Sequence, residues 1–319
     1  MRAAFAHQYG PPQSVSVSTT ATPHPAPHEI LVKVQAASVT AADARLRAGT
    51  FPPGFTPIAR AVFGITRPRN PILGSSFSGI VVKVGDKIQG LTPGQEVCGM
   101  TGMAMGAHAE FLTIKPEKVT HKPAEVNHDD AAAIMFGGST ALYFLRDLGN
   151  LHSGMSVLVN GASGDLGTQA VQLAHHAGAR VTAVTSAVNT DLVRSLGATS
   201  IHDYHATPVT EINEQFDIVF DTVGNISPRQ GKKLITPDGT LLLAVASLRE
   251  TLIARGQVKA GAAPERVGDF DYLLEQLRQG HLRSVIEQRM TLDDIAIAHA
   301  RVSSGRKVGS IIVHPHHAE

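Results

Sequence analysis

Through residue 114 the apolar positions come in short, β-branched runs separated by Pro and Gly: 2–6, 14–19, 29–39, 78–85 and 109–114, with a turn over 90–97. Strands at that spacing predict an antiparallel barrel or sandwich. Residues 50–73 interrupt the pattern with a Pro- and Arg-rich connection, whose length suits a functional flap better than a simple turn. From about residue 128 the period changes. Residues 128–148 open with acids and continue in helix formers. Strand and helix then alternate, with apolar runs at 156–160, 180–184, 217–221 and 240–246. Between the first two, Leu166, Ala170, Leu173, Ala174 and Ala177 share one helical face ahead of Gly178. That alternation predicts a parallel, doubly wound α/β sheet. A helix over 272–280 and a strand over 307–313 close the pattern, and no internal repeat is visible.

Composition narrows the function classes. A chain of 319 residues is long enough for about two well-filled domains. A net charge of +1, without a basic surplus, argues against nucleic acid as a partner. The single cysteine, Cys98, excludes an internal disulfide framework, fits a reducing compartment and reads as a small buried hydrophobe. No apolar run approaches the roughly 20 residues of a membrane span, and residues 1–10 lack a signal-peptide pattern. A cytoplasmic protein without a membrane partner is expected. The 16 histidines are scattered without ligand spacing, and His314, His316 and His317 read as a solvated tail.

The chemistry concentrates at residues 160–167, NGASGDLG. Gly161, Gly164 and Gly167 follow a predicted strand and open a predicted helix, the context that makes a glycine pattern a dinucleotide signal. The first glycine permits the turn, the second admits the pyrophosphate to the backbone, and the third lets helix and strand pack closely. Ala162, Ser163, Asp165 and Leu166 complete the candidate loop. Asp165 is placed to cap free N–H groups at the helix start, with its side chain turned from the phosphates. The next strand ends Thr185-Ser186-Ala187-Val188-Asn189 without the acid that would hold a ribose 2′-hydroxyl and repel a 2′-phosphate. This leans to NADPH over NADH, with Ser186 and Asn189 as donors and Arg194 or Arg180 as charge. Val223, Gly224, Val245, Ala246 and Ser247 end two further strands on the edge where such sheets bind ligands, and Tyr204 suits adenine-side packing.

In order along the chain, residues 29–43, 72–85, 91–99, 106–111, 131–141, 157–174, 193–204, 217–225 and 305–313 resemble the medium-chain dehydrogenase/reductases, in their zinc-independent quinone oxidoreductase (zeta-crystallin-like) branch. The resemblance implies a GroES-like, mainly antiparallel β-barrel domain over 1–122 and 284–319. It also implies a Rossmann nucleotide-binding domain over 123–283, an active site in the cleft between them, and a homodimer. Where zinc-dependent relatives place a cysteine and a His-Glu pair, this chain has Thr40 and Ser75-Ser76, and hydroxyls are poor zinc ligands. No metal is therefore expected. The resemblance also sets Thr140 at a family threonine near the nicotinamide ribose; packing or capping within its helix explains it equally. Many relatives have Asn at Thr40, some have Tyr at Arg45 and Phe51, Gly is common at Asp165, and Arg often stands at Val188.

Without a Lewis acid, a conjugated electrophile is the acceptor best matched to hydride transfer, because its developing negative charge is delocalised. The expected activity is NADPH-dependent reduction of a quinone or related conjugated carbonyl. Thr40 and Ser76 are the candidate hydroxyl donors, with Arg45 as a nearby charge. Thr40 and Asp43 also suit a loop-fixing pair. Two alternatives stand beside this: an enone or enoyl double-bond reductase, and a nucleotide-binding or structural protein with little turnover.

Overall fold

The computed structural model describes Met1–His316. Its early apolar runs become β1 (Arg2–Ala6), β2 (Val15–Thr19), β3 (Ile30–Ser38), β4 (Ser76–Val84), β5 (Glu96–Met100), β6 (Phe111–Ile114) and β7 (Val119–His121). The turn expected over 90–97 is shorter, since β5 already begins at Glu96. The helix α1 (Ala41–Ala48) is fixed at its start by a capping box between Thr40 and Asp43 and at its end by Gly49, whose φ of 65° suits glycine. The Pro- and Arg-rich connection is not all loop: it holds α2 (Thr56–Phe63). Pro57 falls in the first turn, where a missing N–H costs nothing, and Gly64 stops the helix at φ +124°.

Beyond β7 the chain enters α3 (His128–Leu142), which runs on into one π-helical segment over Tyr143–Leu148. Then follow β8 (Ser156–Asn160), α4 (Asp165–His176), β9 (Arg180–Thr185), α5 (Thr190–Ser195), β10 (Ser200–Asp203) and β11 (Phe216–Asp221). Next are α6 (Pro228–Leu234), β12 (Ile235–Leu243), α7 (Leu248–Ile253), β13 (Val258–Ala260) and α8 (Val267–Arg278). The chain closes with β14 (Ile286–Thr291), α9 (Ile295–Ser303) and β15 (Ser310–His314).

Two compact units result. One contains residues 1–51, 56–136 and the chain from 265; the other contains 52–55 and 137–264. The resemblance implies limits at 122/123 and 283/284, whereas the first division between these units falls inside α3. The cause is packing: Ala132 and Ala133 of α3 bury against Ala36 of β3 and Ile312 of β15.

In the first unit a seven-stranded sheet runs β14-β15-β3-β4-β5-β7, with β6 also on β3 and β1-β2 as a separate pair. All pairings but β14 with β15 are antiparallel. Ile30, Val32, Val34, Phe77, Val81, Val97, Ile311 and Val313 are fully buried in its core. His314 belongs to β15 and meets Asp129 at 2.7 Å, so it is part of the sheet and not of a solvated tail. His317 lies outside the described residues.

The second unit is a six-stranded, all-parallel sheet in the order β10-β9-β8-β11-β12-β13. This is the doubly wound order, and the chain changes direction across the sheet between β8 and β11. The carboxyl ends of those two strands, Asn160 and Asp221, stand in register. That edge is where such a sheet leaves a crevice for a ligand.

Candidate functional site

Within the second unit the glycine loop is fitted to its surroundings residue by residue. Gly161 has φ +82°, and a Cβ there would lie 2.6 Å from Thr222 Oγ1 and 2.7 Å from Val223 Cγ2. At Gly167 a Cβ would fall 2.1 Å from Gly161 O. The protein's own packing therefore demands these two glycines. Gly164 differs. Its φ of −76° suits any residue, and a Cβ would meet only Gly161 O, at 3.5 Å. Neither strain nor crowding requires glycine there; it is a favoured N-cap residue, and it also leaves open space beside the backbone, as a closely approaching anion would need.

The helix behind the loop is consistent with this. α1, α6 and α7 each begin with a complete capping box, whereas α4, like α5, α8 and α9, has no cap from its N-cap side chain, here because that residue is Gly164. First-turn N–H groups and the positive end of a helix dipole are, in general, a site that suits an anion. Asp165 opens the helix, and its Oδ1 lies where a Cβ on Gly137 of α3 would come within 2.6 Å. Leu166 and Ala162 pack in the loop, half-buried and buried respectively.

At the end of β9 the structure brings four predicted residues together. Ser163 Oγ accepts from Thr185 Oγ1 at 2.9 Å and from Asn189 Nδ2 at 3.1 Å, and Asn189 Nδ2 also reaches Ser186 Oγ at 3.3 Å. The cluster is neutral. Arg194 is exposed and paired with Asp191 at 3.4 Å. Arg180 starts β9 and donates to Gly154 O at 3.0 Å. Five steps of roughly 3.3 Å each separate it from the strand's far end, so the expectation that Arg180 supplies charge here is corrected. Tyr204 follows β10, half exposed, with its N–H on Thr185 O at 3.3 Å. Thr140 is half-buried on α3.

Val223 and Gly224 form the turn after β11, with Val223 49% exposed and Gly224 at φ +89°. β12 ends at Leu243, three residues earlier than the pattern implied, so Val245, Ala246 and Ser247 form the connection to α7. The Ser247 hydroxyl is taken up by Glu250 in that helix's capping box. Missing from the sequence reading are Asn160 and Asp221, whose side chains join at 2.8 Å beneath these loops. The local signal was an acid ending a strand just ahead of a Val-Gly turn.

Among the acceptor-side candidates in the first unit, Thr40 and Ser76 are fully buried. Thr40 Oγ1 donates to Asp43 Oδ2 at 2.6 Å and accepts from Asp43 N at 3.2 Å, so its one proton is committed to the cap. Asp43 Oδ1 in turn accepts from Gly74 N at 3.2 Å. Ser76 Oγ has no hydrogen-bond partner among the described residues, nor has Ser75 Oγ beside it. Arg45 is half-buried and makes no side-chain hydrogen bond or ion pair among the described residues. Burial pulls its guanidinium below the usual arginine range. Three hydroxyls at Thr40, Ser75 and Ser76 are a poor donor set for zinc. Cys98, the one cysteine, is buried in β5 with its thiol pushed up to about 12 by burial.

Comparison with known proteins agrees with this architecture. Residues 26–124 match the alcohol dehydrogenase GroES-like domain, and residues 196–313 match the family described as zinc-binding dehydrogenase. The chain is 27% identical over 309 residues to the 2-methylene-furan-3-one reductase of Solanum lycopersicum, covering 93% of this chain and 74% of that protein. It is 29% identical to the mitochondrial NAD(P)H oxidoreductase RTN4IP1 of Danio rerio, covering 90% and 84%. The quinone oxidoreductase structure from Coxiella burnetii superimposes with a TM-score of 0.90 at 25% identity, covering 99% of each chain. A GroES-like match, a six-stranded doubly wound sheet and these relatives lead to one assignment: the chain belongs to the medium-chain dehydrogenase/reductase superfamily, in its quinone-oxidoreductase-like branch.

Proposed function

We propose that the chain is an NADPH-preferring, zinc-independent reductase that delivers hydride to a quinone or a related conjugated carbonyl. The observation that carries this reading is the start of α4 at Gly164, where space is left open against the backbone. A bound reduced nicotinamide supplies the hydride; the chain's residues bind, orient and neutralise charge. The glycine loop holds the diphosphate through backbone N–H groups. Ser163, Thr185, Ser186 and Asn189 offer hydroxyl and amide groups to the adenosine ribose or its 2′-phosphate, and no acid among them repels that phosphate. Their neutrality supports a modest preference for NADPH, with NADH accepted.

On the acceptor side, Arg45 is the candidate best suited to negative charge developing on the substrate oxygen, since its half-buried cation lacks a partner and electrostatic stabilisation strengthens as water is excluded. Thr40 acts through Asp43 by fixing α1, the helix that carries Arg45. The names of the relatives favour two acceptor classes: quinones, from the Coxiella burnetii protein, and an alkene conjugated to a ketone, from the Solanum lycopersicum protein. The reading includes a cytoplasmic homodimer, which light scattering after size exclusion checks for its stoichiometry. The deciding experiment follows NADPH consumption by chelator-treated protein with a simple quinone, beside the same assay with NADH. Turnover with NADPH ahead of NADH is expected. Tight NADPH binding without quinone turnover would overturn the quinone assignment, and deuterium delivered to carbon of an enone would establish the second acceptor class.

A further inference from the structure

We propose that Asp221, together with Asn160, is a positioning residue that sets cofactor affinity without touching the cofactor. The inference rests on the reading of this sheet edge as a nicotinamide dinucleotide site. Asp221 is fully buried at the end of β11. Its Oδ1 accepts from Val223 N and Gly224 N, both at 3.0 Å, and from Asn160 Nδ2 at 2.8 Å. Its Oδ2 accepts from Ile226 N at 3.0 Å. A single carboxylate thus holds three backbone N–H groups of the loop that follows the strand, and hydrogen bonds to a carboxylate are about twice as strong as those between neutral groups.

Asn160 extends the hold across the switch point of the sheet. It is the last residue of β8, immediately ahead of Gly161. Both protons of its amide are used, one on Asp221 and one on Asn225 Oδ1 at 2.6 Å. Its backbone carbonyl accepts from Thr222 Oγ1 at 2.7 Å. The loops it ties are in close contact: Gly161 has no room for a Cβ against Thr222 and Val223, and Gly224 has none against Val245, 2.9 Å away. Three backbone segments on the ligand edge, 161–167, 222–226 and 245–247, are therefore locked into one surface with Asp221 at its centre. Small displacements of such a surface weaken binding, because the ligand meets backbone groups that no longer converge.

The same strand contains its own control. Asp217, near the opposite end of β11, binds Ser156 N and Oγ at 2.8 Å and Thr236 Oγ1 at 3.3 Å, away from the ligand edge. Asp221→Asn and Asp217→Asn each place an amide NH2 where N–H or O–H donors now point. Both are expected to lower the melting temperature. Only Asp221→Asn is expected to weaken NADPH binding, by tenfold or more in a fluorescence titration, and to speed hydrogen exchange at the amides of Val223, Gly224 and Ile226 in the cofactor-free protein. Asn160→Ala, which leaves the three backbone bonds to Asp221, is expected to weaken binding at least threefold and serves if Asp221→Asn does not fold. Binding unchanged in Asp221→Asn or Asn160→Ala, or weakened equally in Asp217→Asn, would overturn the proposal. Failure of the unaltered protein to bind NADPH at all would instead remove the reading beneath it.

Discussion

Gly164 and Gly167 sit one helical turn apart and are glycine for different reasons. Replacing Gly167 by Ala drives a methyl onto Gly161 O, and overpacking of that kind costs about 1–3 kcal/mol. Gly164→Ala meets no such obstacle and is expected to change stability by less than about 1 kcal/mol, the scale of an N-cap exchange. Its effect falls on NADPH affinity instead. Urea titration beside a binding titration separates the two, and a Gly164→Ala variant that binds normally would remove the ligand as the reason for that glycine. Cys98 provides a second residue-scale test. A thiol buried in β5 and pushed up to about 12 is neither exposed nor ionised at neutral pH. The native protein is expected to resist a thiol reagent until it is denatured, with reductase activity unaffected by the treatment.

At the scale of elements, α9 contributes an acid sensitivity to the first unit. His299 is fully buried, neither ring nitrogen has a partner among the described residues, and its ring meets His108 edge-on at 5.8 Å. Burial, with His108 and Arg47 nearby, holds its pKa well below the ordinary value. The unfolded chain therefore binds a proton at about pH 6.5 that the folded one does not, so stability falls as pH drops below that point, by up to about 1.4 kcal/mol per unit. His299→Leu should flatten this slope between pH 7 and 5.5 in urea midpoints; an unchanged slope would assign it elsewhere. The strands with dense apolar, β-branched runs, β1, β3, β4, β8 and β11, were legible in the sequence, and so was the glycine loop, because their signals are local. The short edge strands β10, β13 and β14 were not: Ser200–Asp203, Val258–Ala260 and Ile286–Thr291 carry polar residues and are stabilised by neighbours distant in sequence. Pro52, Pro53 and Pro57 hid α2 for a similar reason, since Pro reads as a breaker unless the first turn is known. The hold of Asp221 on its loop was equally hidden. An acid ending a strand has no readable partner until Asn160, 61 positions away, is brought beside it.

For the whole molecule, ligand binding and folding are linked. NADPH at 100 times its dissociation constant should stabilise the folded chain by about 2.7 kcal/mol, provided the unfolded chain does not bind it. Chelator treatment should leave the melting temperature and quinone turnover unchanged; loss of both on chelation, restored by zinc, would overturn the zinc-independent reading. The order of strands has one more outcome, in the making of the protein. β15 lies between β14 and β3, pairing Ile312 with Ser38 and Val313 with Ala37. On the ribosome, at roughly 5–20 residues per second, residues 137–264 emerge as an unbroken run that can complete its own sheet. The older N-terminal strands must wait beyond that for Ser310–His314 to pair the Ala37–Ser38 end of β3, so the part of this chain made first is among the last to be finished.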